Sequence, residues 1–137
     1  MNRGDFQQLA EEHLRHAKAL LDAGLYSGAY YMGGYVVECA LKACICRNRD
    51  HFEFPTRIES KNAWSHDFKT LINVAEVEPE LDAARQADVI LDVNWKGVEV
   101  WEPDSRYKTH DQQEARALLE AISDPDHGVL SCIKHYW

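Results

Sequence analysis

Apolar residues recur at helical spacing along most of this chain, so the pattern predicts helices rather than strands. The first predicted helix covers residues 5–24, with Asp5 as its expected N-cap and Gly24 as its expected left-handed C-terminal residue. Its apolar stripe consists of Phe6, Leu9, Ala10, His13, Ala17, Leu20 and Leu21. Charged residues take the opposite face, so we expect one side of this helix to be buried.

Residues 26–48 form a second predicted helix with a different pattern. It is apolar around nearly its whole circumference, since Glu38 and Lys42 are its only charged residues before Arg47. Such a helix is buried on several sides, which predicts either the centre of a bundle or one side of a dimer interface. Its glycines would let neighbouring backbones come close, and its tyrosines would bury large rings with a polar tip.

An irregular stretch separates this helix from the next ones. Residues 50–62 lack helical periodicity and predict a loop, after which a short helix is expected to begin with Ser65 as its cap. Another helix is predicted over residues 79–94, because Pro79 suits the first turn and apolar residues follow at helical spacing.

A second irregular stretch, residues 95–110, predicts an ordered loop with a brief extended segment at Val98 and Val100. A helical pattern resumes at Asp111, and Pro125 is expected to break it before a last short turn. The whole pattern predicts an all-α fold, an antiparallel up-and-down bundle of four long helices plus a short helix. We expect a single domain over residues 1–137.

Composition narrows the class of protein. The chain is 45% hydrophobic and 28% charged, as in ordinary globular proteins, and it has no apolar run long enough to span a membrane. The polar N-terminal segment does not resemble a signal peptide, so we expect a cytoplasmic location. The four cysteines are expected to be buried, reduced thiols, because the Cys44-x-Cys46 pair has no second pair at zinc-ligand spacing.

The net charge of −8 argues against non-specific binding to DNA, which requires a basic surface. Residues 76–104 are the most acidic part of the chain, with nine acidic and two basic residues. Two interpretations of this stretch stay open. It is either a solvated acidic face or a docking surface for a basic partner.

Residues 101–110 contain the candidate ligand-binding side chains. Trp101 and Tyr107 are of the type that stacks on unpaired bases, and Arg106 and Lys108 of the type that contacts phosphate. The alternative is structural, with the two rings packed at the end of a loop and Arg106 paired with Asp104 or another acid.

The same segment suggests a catalytic pair. If it is helical, Arg106 and His110 lie on one face, where a cation and a proton-transfer group could act on RNA without a metal. Glu38 and Lys42 are the alternative site, although their spacing also suits a simple ion pair. His66 is expected to bond nearby backbone. No metal site and no cofactor motif is predicted.

Three segments resemble one known family. "AKALLDAGLYSGAYYMGGYVVECALKA" (residues 17–43) resembles the signature of the HEPN (higher-eukaryote and prokaryote nucleotide-binding) domain. "SHDFKTL" (65–71) resembles the start of that family's next helix, and "SRY" (105–107) resembles the motif before its final helix. The motifs occur in the family's order and cover most of the chain.

The resemblance implies a helical bundle that commonly forms homodimers and works on nucleotides or RNA. It also implies a protein partner such as a minimal nucleotidyltransferase, often in a toxin–antitoxin pair. Ribonucleases of the family place about four to six residues between arginine and histidine, but only three separate Arg106 from His110, and three separate Arg47 from His51. We therefore expect a non-catalytic binding module for a nucleotide, RNA or protein partner. The alternative is a metal-independent ribonuclease that uses Arg106 and His110.

Overall fold

The computed structural model describes residues 1–137 and contains seven α-helices and no β-strand, so the predicted all-α bundle is confirmed. Three short 3₁₀ turns lie between the helices, at Asp50–Phe52, Asn62–Trp64 and Pro103–Tyr107. The α-helices are α1 (Arg3–Asp22), α2 (Tyr26–Arg47), α3 (Phe68–Ala75), α4 (Glu78–Ala87), α5 (Val89–Glu99), α6 (Gln112–Ser123) and α7 (Val129–Lys134). None of them has the length and hydrophobicity needed to cross a membrane.

The α1 helix begins earlier than predicted. Asn2 is its N-cap, and Asp5 lies in the first turn, where its side chain accepts a hydrogen bond from the Asn2 amide at 2.9 Å. The Asn2 side chain accepts from the Asp5 amide in return, so the two residues form a capping box. The predicted left-handed conformation of Gly24 is confirmed by its φ of 77°. The turn at Gly24 brings α2 back along α1.

The α2 helix lies at the centre of the bundle, as its apolar circumference predicts. It packs against α1, α3, α6 and α7. Every residue from Val36 to Cys46 is buried, including Glu38 and Lys42. The covering elements come from this chain itself, so the middle and C-terminal parts of α2 leave no apolar surface for a partner.

The third and fourth predicted helices differ in detail from the observed ones. Asp67, rather than Ser65, caps α3 by accepting from the Thr70 amide at 2.8 Å, and the Ser65 hydroxyl accepts from the Asp67 amide. The helix predicted over residues 79–94 is two helices, because Asp88 adopts an extended conformation between α4 and α5. Its carboxylate then caps α5 by accepting from the amides of Ile90 and Leu91.

The predicted loop over residues 95–110 is partly helical. Its first five residues complete α5, so the extended segment predicted at Val98 and Val100 is wrong. Val98 is buried inside the helix, and Val100 has helical dihedral angles at its C-cap. The Pro103–Tyr107 turn then leads to α6, which ends at Ser123 before Pro125, as predicted.

Candidate functional site

Trp101 lies in the core, directly against α2. A Cβ atom at Gly34 would lie 1.8 Å from the indole, so only glycine allows the ring this close to the helix backbone. Phe68 stacks on the ring with 5.4 Å between centroids, and the indole Nε1 donates to the Tyr30 carbonyl at 3.2 Å. Because the side chain is almost fully buried, a bound base cannot stack on it. The prediction that Trp101 stacks on a ligand is therefore corrected to a packing role.

Arg106 is exposed and makes no salt bridge with any carboxylate, so the predicted alternative pairing with Asp104 is not observed. Its guanidinium lies 4.8 Å from the centroid of the Tyr107 ring. A hydrogen bond to the Tyr31 side chain raises the pKa of Arg106 further above its ordinary value. Arg106 is thus a permanent cation held by an aromatic ring and a hydroxyl, with its charge left for solvent or a ligand.

Two tyrosines of α2 extend the site away from Arg106. The hydroxyls of Tyr31 and Tyr35 lie 3.1 Å apart, and their rings meet edge to face. Burial, followed by this hydrogen bond, raises the pKa of Tyr35 well above its ordinary value, so Tyr35 is a neutral phenol at physiological pH. Both hydroxyls can therefore donate as well as accept hydrogen bonds.

The alternative site of the sequence analysis adjoins the tyrosines. Glu38 is buried and accepts from the Lys42 ammonium at 2.6 Å, which confirms the predicted ion pair. The His66 Nδ1 lies 3.0 Å from the same carboxylate, so His66 bonds Glu38. The prediction that His66 bonds nearby backbone is wrong. Since a carboxylate only accepts, Nδ1 carries a proton in this bond, and the His66 side chain is about half exposed.

Arg106, Tyr31, Tyr35 and His66 therefore form one continuous surface, which we call the tyrosine strip, with Tyr107 at one end and the Glu38–Lys42 pair beneath the other. The Tyr35 and His66 rings meet edge to face with 6.3 Å between centroids. The electrostatic effect of Arg106 reaches Tyr35, where it lowers the pKa against the larger effect of burial. The two sites predicted separately from the sequence are thus parts of the same surface.

His110 is held away from the tyrosine strip. Its ring stacks on Tyr30 with 3.7 Å between centroids, and its Nδ1 lies 2.7 Å from a Glu114 carboxylate oxygen. Its Nε2 is enclosed and has no hydrogen-bond partner, and its backbone amide donates to the Ser27 hydroxyl at 2.8 Å. Both ring nitrogens are therefore inaccessible to a ligand.

The helical geometry expected for the catalytic pair is not present. The 3₁₀ turn ends at Tyr107, and α6 begins only at Gln112, with Lys108 extended between them. Arg106 consequently reaches Tyr31 while His110 stacks on Tyr30, and consecutive residues of a helix point in different directions.

Lys108 and Tyr107 are both exposed beside Arg106. The Lys108 ammonium lies 2.8 Å from a Glu102 carboxylate oxygen, in a pair that is more than half exposed at both ends. Exposed pairs of this kind are weak, so Lys108 can exchange this partner for a ligand anion. Tyr107 is 76% exposed and presents the free aromatic surface nearest to Arg106.

The sequence analysis missed Tyr31, Tyr35 and His66. A signal was present in α2, because Tyr31, Tyr35, Glu38 and Lys42 follow each other at four, three and four positions and so share one helix face. His66 gave no such signal, since only the tertiary fold brings it to Glu38.

The tyrosine strip combines a guanidinium, two phenol hydroxyls and an imidazole, which are groups that bind phosphate and hydroxyl oxygens. The structure contains no group of three or more His, Cys, Asp or Glu side chains placed to hold a metal ion. All four cysteines are buried free thiols.

Comparison with known proteins gave one match. A family model described as the HEPN domain matches residues 5–124 of the 137-residue chain, from the first turn of α1 to just beyond α6. The matched region contains every residue of the tyrosine strip. Neither a curated protein nor a solved structure matched the chain.

Proposed function

Because the chain belongs to the HEPN domain family, as its sequence motifs predicted, we propose that it is a non-catalytic module that binds a nucleotide or short RNA at the tyrosine strip. Membership of the family supports a nucleotide- or RNA-related module. The geometry around Arg106 supports the more specific proposal.

The observation that carries the proposal is the environment of Arg106. Six of the fifteen Lys and Arg side chains are neutralised by salt bridges, and one of them is Lys108, which pairs with Glu102. Arg106 instead lies against the Tyr107 ring, and the Tyr31 side chain raises its pKa. A guanidinium in this setting keeps its donors for an oxyanion such as phosphate, which it binds through two parallel hydrogen bonds.

The neighbouring residues supply the remaining contacts. We assign base stacking to Tyr107, since Trp101 is enclosed, and a second phosphate contact to Lys108. The Tyr31 and Tyr35 hydroxyls are placed to bond ribose or phosphate oxygens. The acidic background repels long nucleic acid while one local cation attracts a small anion, so binding should be weak, sensitive to salt and restricted to short ligands.

A non-catalytic role is supported by the position of His110, whose nitrogens are occupied or enclosed. One observation favours a ribonuclease as a second candidate, with His66 as the proton acceptor. Glu38 orients His66 so that Nε2 could take the proton of a ribose 2′-hydroxyl. The 2′-oxygen would bond to phosphorus while the 5′-oxygen left with a proton from water, and Arg106 would stabilise the phosphate charge.

The test is fluorescence anisotropy with a labelled RNA of about five nucleotides, a length within the site size of single-strand binding modules. Arg106→Ala should weaken binding by about tenfold or more, since a hydrogen-bonded charge contributes about 1.5–3 kcal/mol. Arg116→Ala is the matched control, because Arg116 is exposed on α6 and makes no ion pair. Equal affinity for both variants would contradict the proposal.

The same RNA, incubated with the wild type and analysed on a gel, separates the two candidate functions. The binding module should leave the RNA intact. Cleavage that disappears in His66→Gln and persists in His110→Gln would establish the second candidate. Cleavage that disappears in His110→Gln would restore the catalytic pair expected from the sequence.

We also propose a homodimer, with an interface different from the one first expected. A dimer through α2 was expected because one small bundle would not fully cover that helix, but α2 is largely buried within one chain. The uncovered apolar surface is on α5, where Val89, Ile90, Val93 and Val100 are each more than half exposed. Gly97 lies in the same row with nothing around it, so a second α5 could approach closely there.

Light scattering at high micromolar concentration tests the dimer. The wild type should have the mass of two chains, and Val93→Arg should be monomeric. Ile58→Arg is the matched control, because Ile58 is a fully exposed apolar residue outside α5. A monomeric wild type would overturn the proposal, and a dimeric Val93→Arg would move the interface away from α5.

A further inference from the structure

A groove of about 470 Å³ lies between α3, α4 and α5, apart from the exposed polar groups of the tyrosine strip. Its floor is apolar and aromatic, and it consists of Phe68, Ile72, Leu81, Trp95 and Trp101. Its rim is charged, with the carboxylates of Asp67, Glu78, Asp82 and Glu99 and the cations of Lys69 and Arg85. The four carboxylates exceed the two cations, so the groove carries a net negative charge.

The charges on the rim are unevenly paired. Arg85 bonds Asp92 at 2.7 Å and also contacts the Glu99 carboxylate, and its guanidinium lies 5.9 Å from the Trp95 centroid. Desolvation by burial lowers the pKa of Arg85, but the hydrogen bonds that Arg85 donates to Asp92 and Glu99, together with their charges, raise it overall. One guanidinium therefore already lies in this groove between carboxylates and an aromatic ring.

Glu78 and Asp82 have no such partner. They are one helical turn apart on α4, both are exposed, and neither makes a salt bridge. Two like charges at this spacing destabilise a helix slightly, and a cation between them would remove that repulsion. Such a cation would lie at the rim of a groove whose net charge is negative.

We propose that this groove binds an arginine-bearing extended segment of a partner protein. The partner's guanidinium would bond Glu78 and Asp82 at the rim, as Arg85 bonds Asp92 and Glu99. Arginine fits better than lysine because its planar group has several donors and can bond both carboxylates at once. The acidic residues around the groove attract such a segment from a distance, which favours the docking interpretation of residues 76–104.

The ligand for the test is a short glycine- and serine-rich peptide with two arginines, and its control is the same peptide with citrulline in place of arginine. Titration is followed by calorimetry and by tryptophan fluorescence, since Trp95 and Trp101 line the groove. The arginine peptide should bind and change the fluorescence. Equal binding of the citrulline peptide would overturn the proposal.

The protein variant is the double substitution Glu78→Gln/Asp82→Asn. Both residues are exposed, so the variant should unfold at the same or a slightly higher denaturant concentration. Affinity for the arginine peptide should fall by about tenfold or more, as expected for lost hydrogen bonds to a charged group. The matched control, Glu80→Gln/Glu120→Gln, removes the same charge from exposed positions outside the groove and should keep affinity within about twofold of wild type.

Two further results would contradict the proposal. An equal loss in both double variants would mean that net charge alone attracts the peptide. Spermidine binding as tightly as the peptide would assign the groove to a small polyamine. Neither result depends on the tyrosine strip, so the groove and the proposed nucleotide site succeed or fail separately.

Discussion

Replacement of Gly34 by alanine should destabilise the fold, although alanine is normally the better helix residue. The added Cβ would lie 1.8 Å from Cε2 and 2.0 Å from Cδ2 of Trp101. Carbon atoms in contact lie about 3.5–4.0 Å apart, so the indole would have to move by about 2 Å. Phe68 stacks on the indole of Trp101, and the indole Nε1 donates to the Tyr30 carbonyl, so this movement disrupts both contacts.

The size of the effect follows from three contributions. Overpacking of a core costs about 1–3 kcal/mol, and loss of the indole hydrogen bond costs about 0.5–1.5 kcal/mol. The better helix propensity of alanine offsets about 1 kcal/mol of this. Gly34→Ala should therefore lower the free energy of unfolding by about 1–3 kcal/mol.

Urea unfolding of a glycine series measures this effect. In Gly28→Ala the new Cβ would lie 3.6 Å from a Leu20 methyl, and in Gly97→Ala it would meet nothing within 4 Å, so both variants should gain up to about 1 kcal/mol. Gly33→Ala should fall between these and Gly34→Ala, because its nearest neighbours are flexible leucine methyls at 3.0 and 3.1 Å. If Gly34→Ala is as stable as Gly28→Ala, Trp101 does not pack on α2, and its ring is free for a ligand after all.

Three further predictions concern the rest of the fold. Lys42→Met should cost up to about 3–5 kcal/mol in urea unfolding, since the buried Glu38 carboxylate keeps only its His66 partner. Adding Glu38→Leu should recover part of that loss, and additive costs would contradict a buried pair. The Asp88 carboxylate raises the pKa of His127, so wild type should be more stable than His127→Gln below pH of about 6.5, and this extra stability should be lost as the pH rises through the raised pKa of His127. The pKa of Asp88 is lowered, so Asp88 contributes its part above pH of about 3.8. A stability difference between wild type and His127→Gln that grows with pH would reverse this sign. The four cysteines should react with a thiol reagent at pH of about 8 only after unfolding. Burial raises the pKa of Cys39 and Cys44 to about 12 and that of Cys46 to about 11. Fast labelling of the native protein would contradict their burial.

The bundle could be predicted because it depends on local patterns. The apolar circumference of α2 predicted its central position, and Gly24 and Pro125 predicted the ends of two helices correctly. The division of residues 79–94 at Asp88 was missed, because periodicity continues through a one-residue break. Only the capping bonds of Asp88 indicate it.

The site was harder to predict because it is assembled from distant segments. Arg106 was identified from its sequence context, but its partner Tyr31 lies on α2, and His66 reaches Glu38 from the connection before α3. The stacking role of Trp101 was wrong because no local pattern shows that Gly34 makes room for its ring. Sequence spacing indicated the residue types of the proposed site, and packing decided which of them are exposed.

The proposed nucleotide site requires that the Arg106 guanidinium contact a ligand phosphate. Its most direct test is the salt dependence of binding to a short oligoribonucleotide, measured for wild type, Arg106→Ala and the control Arg116→Ala. Each phosphate contact to a single strand contributes about 0.7 to the slope of log affinity against log salt concentration. The slope should become shallower by about 0.7 in Arg106→Ala alone. An unchanged slope in Arg106→Ala, or an equal change in Arg116→Ala, would contradict the account.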